Sequence, residues 1–411
     1  MTVEPEQTTQ PDDRPSPRAG TVSPGRVLVL NYEFPPLGGG AGHATYYITR
    51  ELVRMGWTVD VVTTHWGDIL PDRPEGVEVL SVPTTRKGIH SCGLKAAAQY
   101  ISRALPVVRR LASERQYDLT HSFFSLLTGV LSLDLWKRAR IPYVVSLRGS
   151  DVPGYDPGRD GQLLHRFCAP ITRRVWQQAG AVVTNSPALK ELAARFLDVP
   201  MEIIGNAVDI SAFSPPDEPP TPAEGGIRVV CVTRLIKRKG VQHLLEAVAR
   251  TPEVARLDVI GSGSYEENLH ALAQRLELGD RVHFVGHVKH QELPAIYSRY
   301  DLFALPSMAE SFGIVFAEAM ACGLPILGAN EGGIPSVVRD GIDGILVEPG
   351  DVDGICDALR FFAHDAGRRY EMGRTGRQRI EEEFTWQRVA RKYEAIYNRV
   401  RKAAVQSGER E

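Results

Sequence analysis

The chain has 411 residues, 43% of them hydrophobic, and a formal net charge of −2. That length exceeds a single core and predicts two domains, while the near-neutral charge excludes a global attraction to nucleic acid. Five scattered cysteines without a C-x-x-C pair argue against a disulfide framework or zinc site and for a reducing cytoplasm. No stretch approaches the about 20 apolar residues that span a bilayer. Residues 1–24 are rich in Pro, Thr, Asp, Glu and Gln, lack an apolar core segment, and predict a disordered tail and not a signal peptide.

Residues 25–212 alternate strand-like and helix-like segments, starting with Arg26–Leu30, a helix from Tyr46 to Met55, and Trp57–Thr63. Further strands are predicted at 77–82, 119–121, 143–147 and 181–184, the rhythm of a mostly parallel doubly wound sheet. The first strand runs directly into Pro35-Pro36-Leu37-Gly38-Gly39-Gly40-Ala41-Gly42-His43. Glycines there let backbone approach a ligand, and the following helix offers N–H groups to an anion, although many such turns are glycine-rich for steric reasons alone. Glu33 and His43 are lesser candidates beside it. Between 86 and 115, seven basic residues stand against Glu114 and are interspersed with apolar ones. Such a segment can bind an anionic membrane surface, or it is a packed helix with a solvated basic face. Ser146-Leu147-Arg148-Gly149-Ser150-Asp151 ends a strand with an arginine, which binds anions but cannot act as a base.

A proline run within 213–226 interrupts the pattern and predicts a semi-rigid linker. From 227 to 385 the α/β rhythm restarts, and 386–411 reads as a C-terminal helix packing back on the first domain. The second domain's first strand leads into Thr233-Arg234-Leu235-Ile236-Lys237-Arg238-Lys239-Gly240. A basic loop there, ahead of a helix N-terminus, is an electrostatic trap for a diphosphate, against the simpler reading of a solvated cationic turn. Gly261 and Gly263 form a second strand-to-helix turn, and His287 follows the strand Val282–Val285. The strand Leu302–Leu305 then runs into a loop holding Glu310, Phe312 and Gly313, followed by Ile314, Val315 and a helix from Phe316 to Ala321, closed by Gly323 and Pro325. Glu310 falls beyond the strand's carboxyl end and Glu318 in the helix's first turns. Ligands bind in that crevice of an open α/β sheet, and carboxylates there can accept hydrogen bonds from vicinal hydroxyls. A bare pair at this spacing is often a solvated loop glutamate and a dipole-favoured helix glutamate.

The run E-S-F-G-I-V-F-A-E-A-M-A-C-G-L-P at 310–325 resembles the E-x7-E block of retaining glycosyltransferases of family four, glycosyl transferases group 1. P-P-x-x-G-G, R-L-x-x-x-K-G and G-x-G occur in the family's order, so the resemblance covers nearly everything from Arg26 to about Val400. It implies an α/β GT-B fold, two Rossmann-like doubly wound domains facing a central cleft, and transfer of a hexosyl unit from a nucleotide-diphosphate sugar to a glycan, lipid-linked or small-molecule hydroxyl. Glu310, Arg234 and Lys239 would then be catalytic. Gly39, Gly40, Gly261, Gly263, His287, Phe312, Gly313, Ile314, Val315 and Glu318 would bind the donor. Arg148, Gly149, Asp151 and His121 would contact acceptor or sugar, with His121 equally readable as a satisfied core histidine. The family often carries histidine where Arg148 stands, which removes a histidine role there. Lys237 and Arg238 fall on variable positions and are expected to be exposed. No metal, cofactor or nucleic acid is implied, and a cytoplasmic enzyme is expected, with peripheral membrane contact through 86–115 if the acceptor is membrane-displayed. A nucleotide-sugar epimerase of the same layout and a non-catalytic nucleotide-sugar-binding protein are the alternatives.

Overall fold

The computed structural model describes residues 24–86, 88, 93–156, 158–216 and 225–408. The expected tail (bar Pro24), Lys87 and residues 217–224 of the expected linker lie outside them. The chain runs β1 (Arg26–Leu30), α1 (Gly40–Arg54), β2 (Thr58–His65), β3 (Val77–Pro83), α2 (Gly93–Glu114), β4 (Leu119–Phe123), α3 (Gly129–Ala139), β5 (Tyr143–Ser146), α4 (Arg159–Gln178), β6 (Ala181–Thr184), α5 (Pro187–Phe196) and β7 (Met201–Ile203). It continues with β8 (Ile227–Val232), α6 (Val241–Ala249), β9 (Val254–Ile260), α7 (Glu266–Arg275), β10 (Val282–Gly286), α8 (Leu293–Tyr297), β11 (Leu302–Leu305), α9 (Ile314–Ala321), β12 (Ile326–Ala329), α10 (Ile334–Val337), β13 (Gly344–Val347), α11 (Val352–His364), α12 (Ala366–Glu383) and α13 (Trp386–Gln406).

Two parallel sheets result, ordered β3-β2-β1-β4-β5-β6-β7 and β10-β9-β8-β11-β12-β13. Short continuous apolar runs such as Val27–Leu30 and Leu302–Leu305 form their centres because strands covered on both faces have no side to leave polar. In each sheet the order reverses next to the domain's first strand, between β1 and β4 and between β8 and β11. The crevices at these switch points face each other. Helix α1 begins at Gly40, six residues before the expected start, so the glycine loop itself forms the first turn. Strand β7, whose three residues carry too little pattern to predict, closes one edge of the first sheet.

Helix α13 crosses back to pack on α1, β4 and β5. It buries Trp386, Val389, Tyr393, Ile396, Tyr397 and Val400 in the first domain's core, each large apolar side chain contributing about 1.5–3 kcal/mol. The Trp386 ring stacks on Tyr47 with centroids 5.2 Å apart, and Trp57 donates from Nε1 to Glu394 at 3.1 Å.

The described cations of the basic segment 86–115 divide: Lys95, Arg103 and Arg110 are exposed, while Arg86, Arg109 and Arg115 are held within the chain. Arg86 is buried and donates to the Tyr32 carbonyl at 3.2 Å. Arg103 donates to the Pro83 carbonyl. Arg109 grips Asp134 with two bonds of 2.8 and 2.7 Å, and Arg115 grips Glu78 while lying 3.0 Å from Asp60. Apart from Glu114, 3.9 Å from Arg110 on the same helix, the acids that pair with this helix come from other elements, so a local charge count could not find them. No helix among the described residues is long and apolar enough to cross a membrane.

Candidate active site

A cavity of about 620 Å³ opens between the carboxyl ends of the two sheets. Its first-domain wall includes Glu33, Gly39, Gly40, Arg148, Tyr155 and Asn206, and its second-domain wall includes Arg234, Arg238, Lys239 and the run Glu310–Val315. The N-termini of α1 and α9 meet across it, with a Cβ placed on Gly40 lying 3.6 Å from the Ile314 methyl. Both helix ends direct orphan N–H groups and positive dipole ends toward the space between them. Gly313 caps α9 in the left-handed region at φ 83°, where a Cβ would run 2.5 Å from the Phe316 ring, so only glycine forms this corner. Asn185 of the first domain donates to the Ser311 hydroxyl of the second at 3.2 Å.

The loop after β8 makes one tight helical turn, Lys237–Lys239, and delivers three cations differently. Arg234 is exposed to the cleft. Lys239 is only 7% exposed, and its ammonium is bound to one carboxylate oxygen of Glu310. Burial pulls the Lys239 ammonium below its ordinary value, and the carboxylate of Glu310 opposes that pull. Arg238, expected on the surface, faces the cavity instead. Its guanidinium lies 5.3 Å from the Tyr155 ring centre and 3.8 Å from Asp156. Glu33 accepts from the Gly39 N–H at 3.2 Å. Burial pushes its carboxyl up, while the Gly39 bond, Arg86 and Arg234 pull it down.

Several expected contacts are occupied by the protein itself. His121 is fully buried, with Nδ1 2.6 Å from the Tyr397 hydroxyl and Nε2 2.7 Å from the Ser146 hydroxyl. It is the satisfied core histidine, and burial with Arg148 nearby holds its basicity well below the usual 6.5. Asp151 accepts from the N–H groups of Ser125, Arg148 and Gly149 at 2.8, 2.8 and 3.1 Å, so it shapes the loop and does not reach into the cavity. Burial pushes the Asp151 carboxyl up from its ordinary value, and those N–H bonds pull against it. Asp151→Ala is expected to lower stability by about 3 kcal/mol, because three donors lose a charged acceptor. An unchanged urea unfolding curve would contradict this. Gly261 and Gly263 do not line the cavity; a Cβ on either would overlap the carbonyl oxygen of Thr233 or Leu235, so packing between neighbouring turns accounts for both glycines. His287 is exposed beyond β10 and is also absent from the cavity wall.

Arg148 does line the cavity, held by Asn206 at 2.9 Å and the Tyr393 hydroxyl at 3.1 Å, with its charge 4.6 Å from the Phe123 ring centre. Phe312 is 2% exposed and fills the space above Gly205. Glu318 sits one turn along α9 from the Ile314 and Val315 that border the cavity. It is 3% exposed, and His290 lies 2.8 Å from its Oε1. His290, Tyr155, Asn185 and Asn206 carried no usable sequence signal, since each is a single polar residue in an aperiodic loop. Four cations, two helix N-termini and a ring of hydroxyl-binding side chains make this cavity suited to a polar, phosphate-bearing ligand.

Residues 38–212 match Glycosyltransferase Family 4, and residues 217–379 match Glycosyl transferases group 1. A GDP-mannose-dependent alpha-(1-6)-phosphatidylinositol monomannoside mannosyltransferase of Mycobacterium tuberculosis is 34% identical over 400 residues, covering 89% of this chain and 96% of that one. The glycogen synthase of the same organism is 26% identical over 415 residues, covering 94% and 96%. Among solved structures, the sucrose-phosphate synthase of Thermosynechococcus elongatus superposes with a TM-score of 0.81 at 22% identity, over 92% of this chain and all of that one. Fold, ordered motifs and these likenesses agree: the chain belongs to the glycosyl transferases group 1, glycosyltransferase family four, and is a glycosyltransferase of GT-B fold.

Proposed function

We propose that the enzyme moves a hexosyl unit from a nucleotide-diphosphate sugar to an acceptor hydroxyl with retention at the anomeric carbon and without a metal ion. The observation that carries this reading is the Lys239–Glu310 pair at the floor of the cleft, beside Arg234 and the N-terminus of α9. As the donor's glycosidic bond breaks, negative charge grows on the leaving diphosphate. Lys239, held by Glu310, and the α9 N–H groups are fixed before the reaction where that charge would appear, with Arg234 exposed beside them, and such preorganised electrostatics is usually the largest catalytic term. Lys239 engages one Glu310 oxygen, so the other can accept from a hydroxyl of the transferred sugar. Glu318 would accept from the donor ribose. In a front-face attack the acceptor oxygen bonds the anomeric carbon on the side the diphosphate leaves, and its proton passes to the departing phosphate oxygen. Opposite Glu310, the carboxylates among the described wall residues are already engaged: Glu33 accepts from Gly39 and Asp156 lies 3.8 Å from Arg238, while Asp151, behind the wall, is tied to backbone. That favours this route over a glycosyl-enzyme.

Arg148, beside Asn206 on the first-domain wall, suits a sugar or anionic oxygen of the acceptor, which we read as a glycan or a lipid-linked hydroxyl. The cations of 86–115 add little to that reading, because most already bind groups of this chain. The family assignment replaces the epimerase and the non-catalytic sensor. Thermal shift with UDP-, GDP- and ADP-sugars tests the donor site. At 100 times its Kd one of them should stabilise the protein by about 2.7 kcal/mol, and no shift with any would refute the reading. Arg234→Ala should weaken that nucleotide's binding by about 1.5–3 kcal/mol with the fold intact, since one charge-assisted bond is lost at an exposed position. Turnover should persist in excess EDTA; complete loss reversed by magnesium would contradict the metal-free mechanism.

A further inference from the structure

His290 lies at the turn before α8, facing Glu318, and nothing in the family's motifs assigns it a task. Its Nε2 is 2.8 Å from Glu318 Oε1. One face of its ring stacks on His43 of α1, with centroids 4.4 Å apart and planes 29° from parallel. Phe213 packs 5.2 Å away. The imidazole therefore cannot swing freely, and its nitrogen stays aimed at one oxygen. The other oxygen, Glu318 Oε2, is buried and has no hydrogen-bond partner among the described residues. A buried carboxylate oxygen without a donor is costly unless a ligand supplies one.

We propose that His290 is a positioning residue for the donor nucleoside: it clamps Oε1 and so presents Oε2 to the ribose hydroxyls. This inference rests on the donor site described above and adds a division of labour between the two carboxylate oxygens. Without the clamp Glu318 would rotate about its terminal torsion and share its oxygens among several orientations, so each nucleotide would bind against that freedom. Burial lowers the affinity of His290 for its second proton, but the Glu318 carboxylate, with Asp209 further off, outweighs burial and raises it above the ordinary 6.5. Nε2 thus donates a charge-assisted bond to Oε1. Because His43 belongs to the other domain, the clamp is completed only when the two walls of the cleft meet.

The test is calorimetry with UDP, GDP and ADP, using whichever binds the wild type best, together with its 2′,3′-dideoxy analogue. His290→Ala should raise the Kd of the full nucleotide about tenfold or more. His290→Gln, whose amide nitrogen can occupy the Nε2 position, should restore most of that loss. The dideoxy analogue has no hydroxyls for Oε2 and should bind wild type and His290→Ala alike; a general structural defect would weaken both ligands. In steady-state assays the loss should fall on the donor KM and leave kcat within about threefold, as expected for a ground-state contact. Equal Kd values for the full nucleotide in wild type and His290→Ala, or equal losses for both ligands, would overturn the proposal while leaving the donor site standing. Failure of the wild type to bind any of the three would overturn the donor site itself, and this inference with it.

Discussion

Lys239→Ala is expected to reduce turnover by about 10²–10³-fold, the usual cost of deleting one preorganised donor aimed at developing charge. The geometry explains why the loss should exceed that for a surface lysine. Burial at 7% exposure and the bond to Glu310 hold the ammonium in one place, so it needs no reorganisation as the diphosphate leaves. Nucleotide affinity should fall too, but by less, because charge on the leaving group is greater in the transition state than in the bound donor. Measured kcat within threefold of the wild type would remove Lys239 from the reaction.

Glu310→Ala should cost stability as well as turnover. Removing one partner of a buried pair costs about 3–5 kcal/mol, because the other charge stays behind without compensation. The two side chains are 9% and 12% exposed, so the lower end of that range applies. Turnover should drop further than nucleotide binding, since the expected partner of Glu310 is the transferred sugar and not the nucleotide. The double variant Lys239→Met with Glu310→Leu separates the effects. It should regain stability, as apolar replacement of buried ion pairs often does, without regaining turnover. Loss of nucleotide binding with intact turnover in Glu310→Ala would refute its assignment.

Much of the fold was legible because buried parallel strands are short apolar runs, and β1, β8 and β11 announce themselves that way. The cleft was legible at Arg234, Gly39 and Glu310, each placed by a strand end followed by a helix start. Burial of charge was not. Lys239 and Arg238 sit in one basic run, yet their environments depend on Glu310, 71 residues on, and on Tyr155 and Asp156, more than eighty residues back. His121 and Asp151 failed as ligand contacts for the same reason. Tyr397 and Ser146 satisfy the histidine, and three backbone N–H groups satisfy the carboxylate, none of which a local pattern reveals.

The chain passes between its two domains twice, outward after Val208 and home again at Phe384–Thr385. These crossings run side by side: Val208 bridges Thr385 in parallel, and its N–H donates to the Phe384 carbonyl at 3.0 Å. A body held by one cord can spin, whereas a body held by two adjacent cords turns mainly about the line through them. The double crossing therefore restricts the walls to swinging apart and together in a single arc, so that Gly40 and Ile314, or His43 and His290, return to the same partners after every excursion.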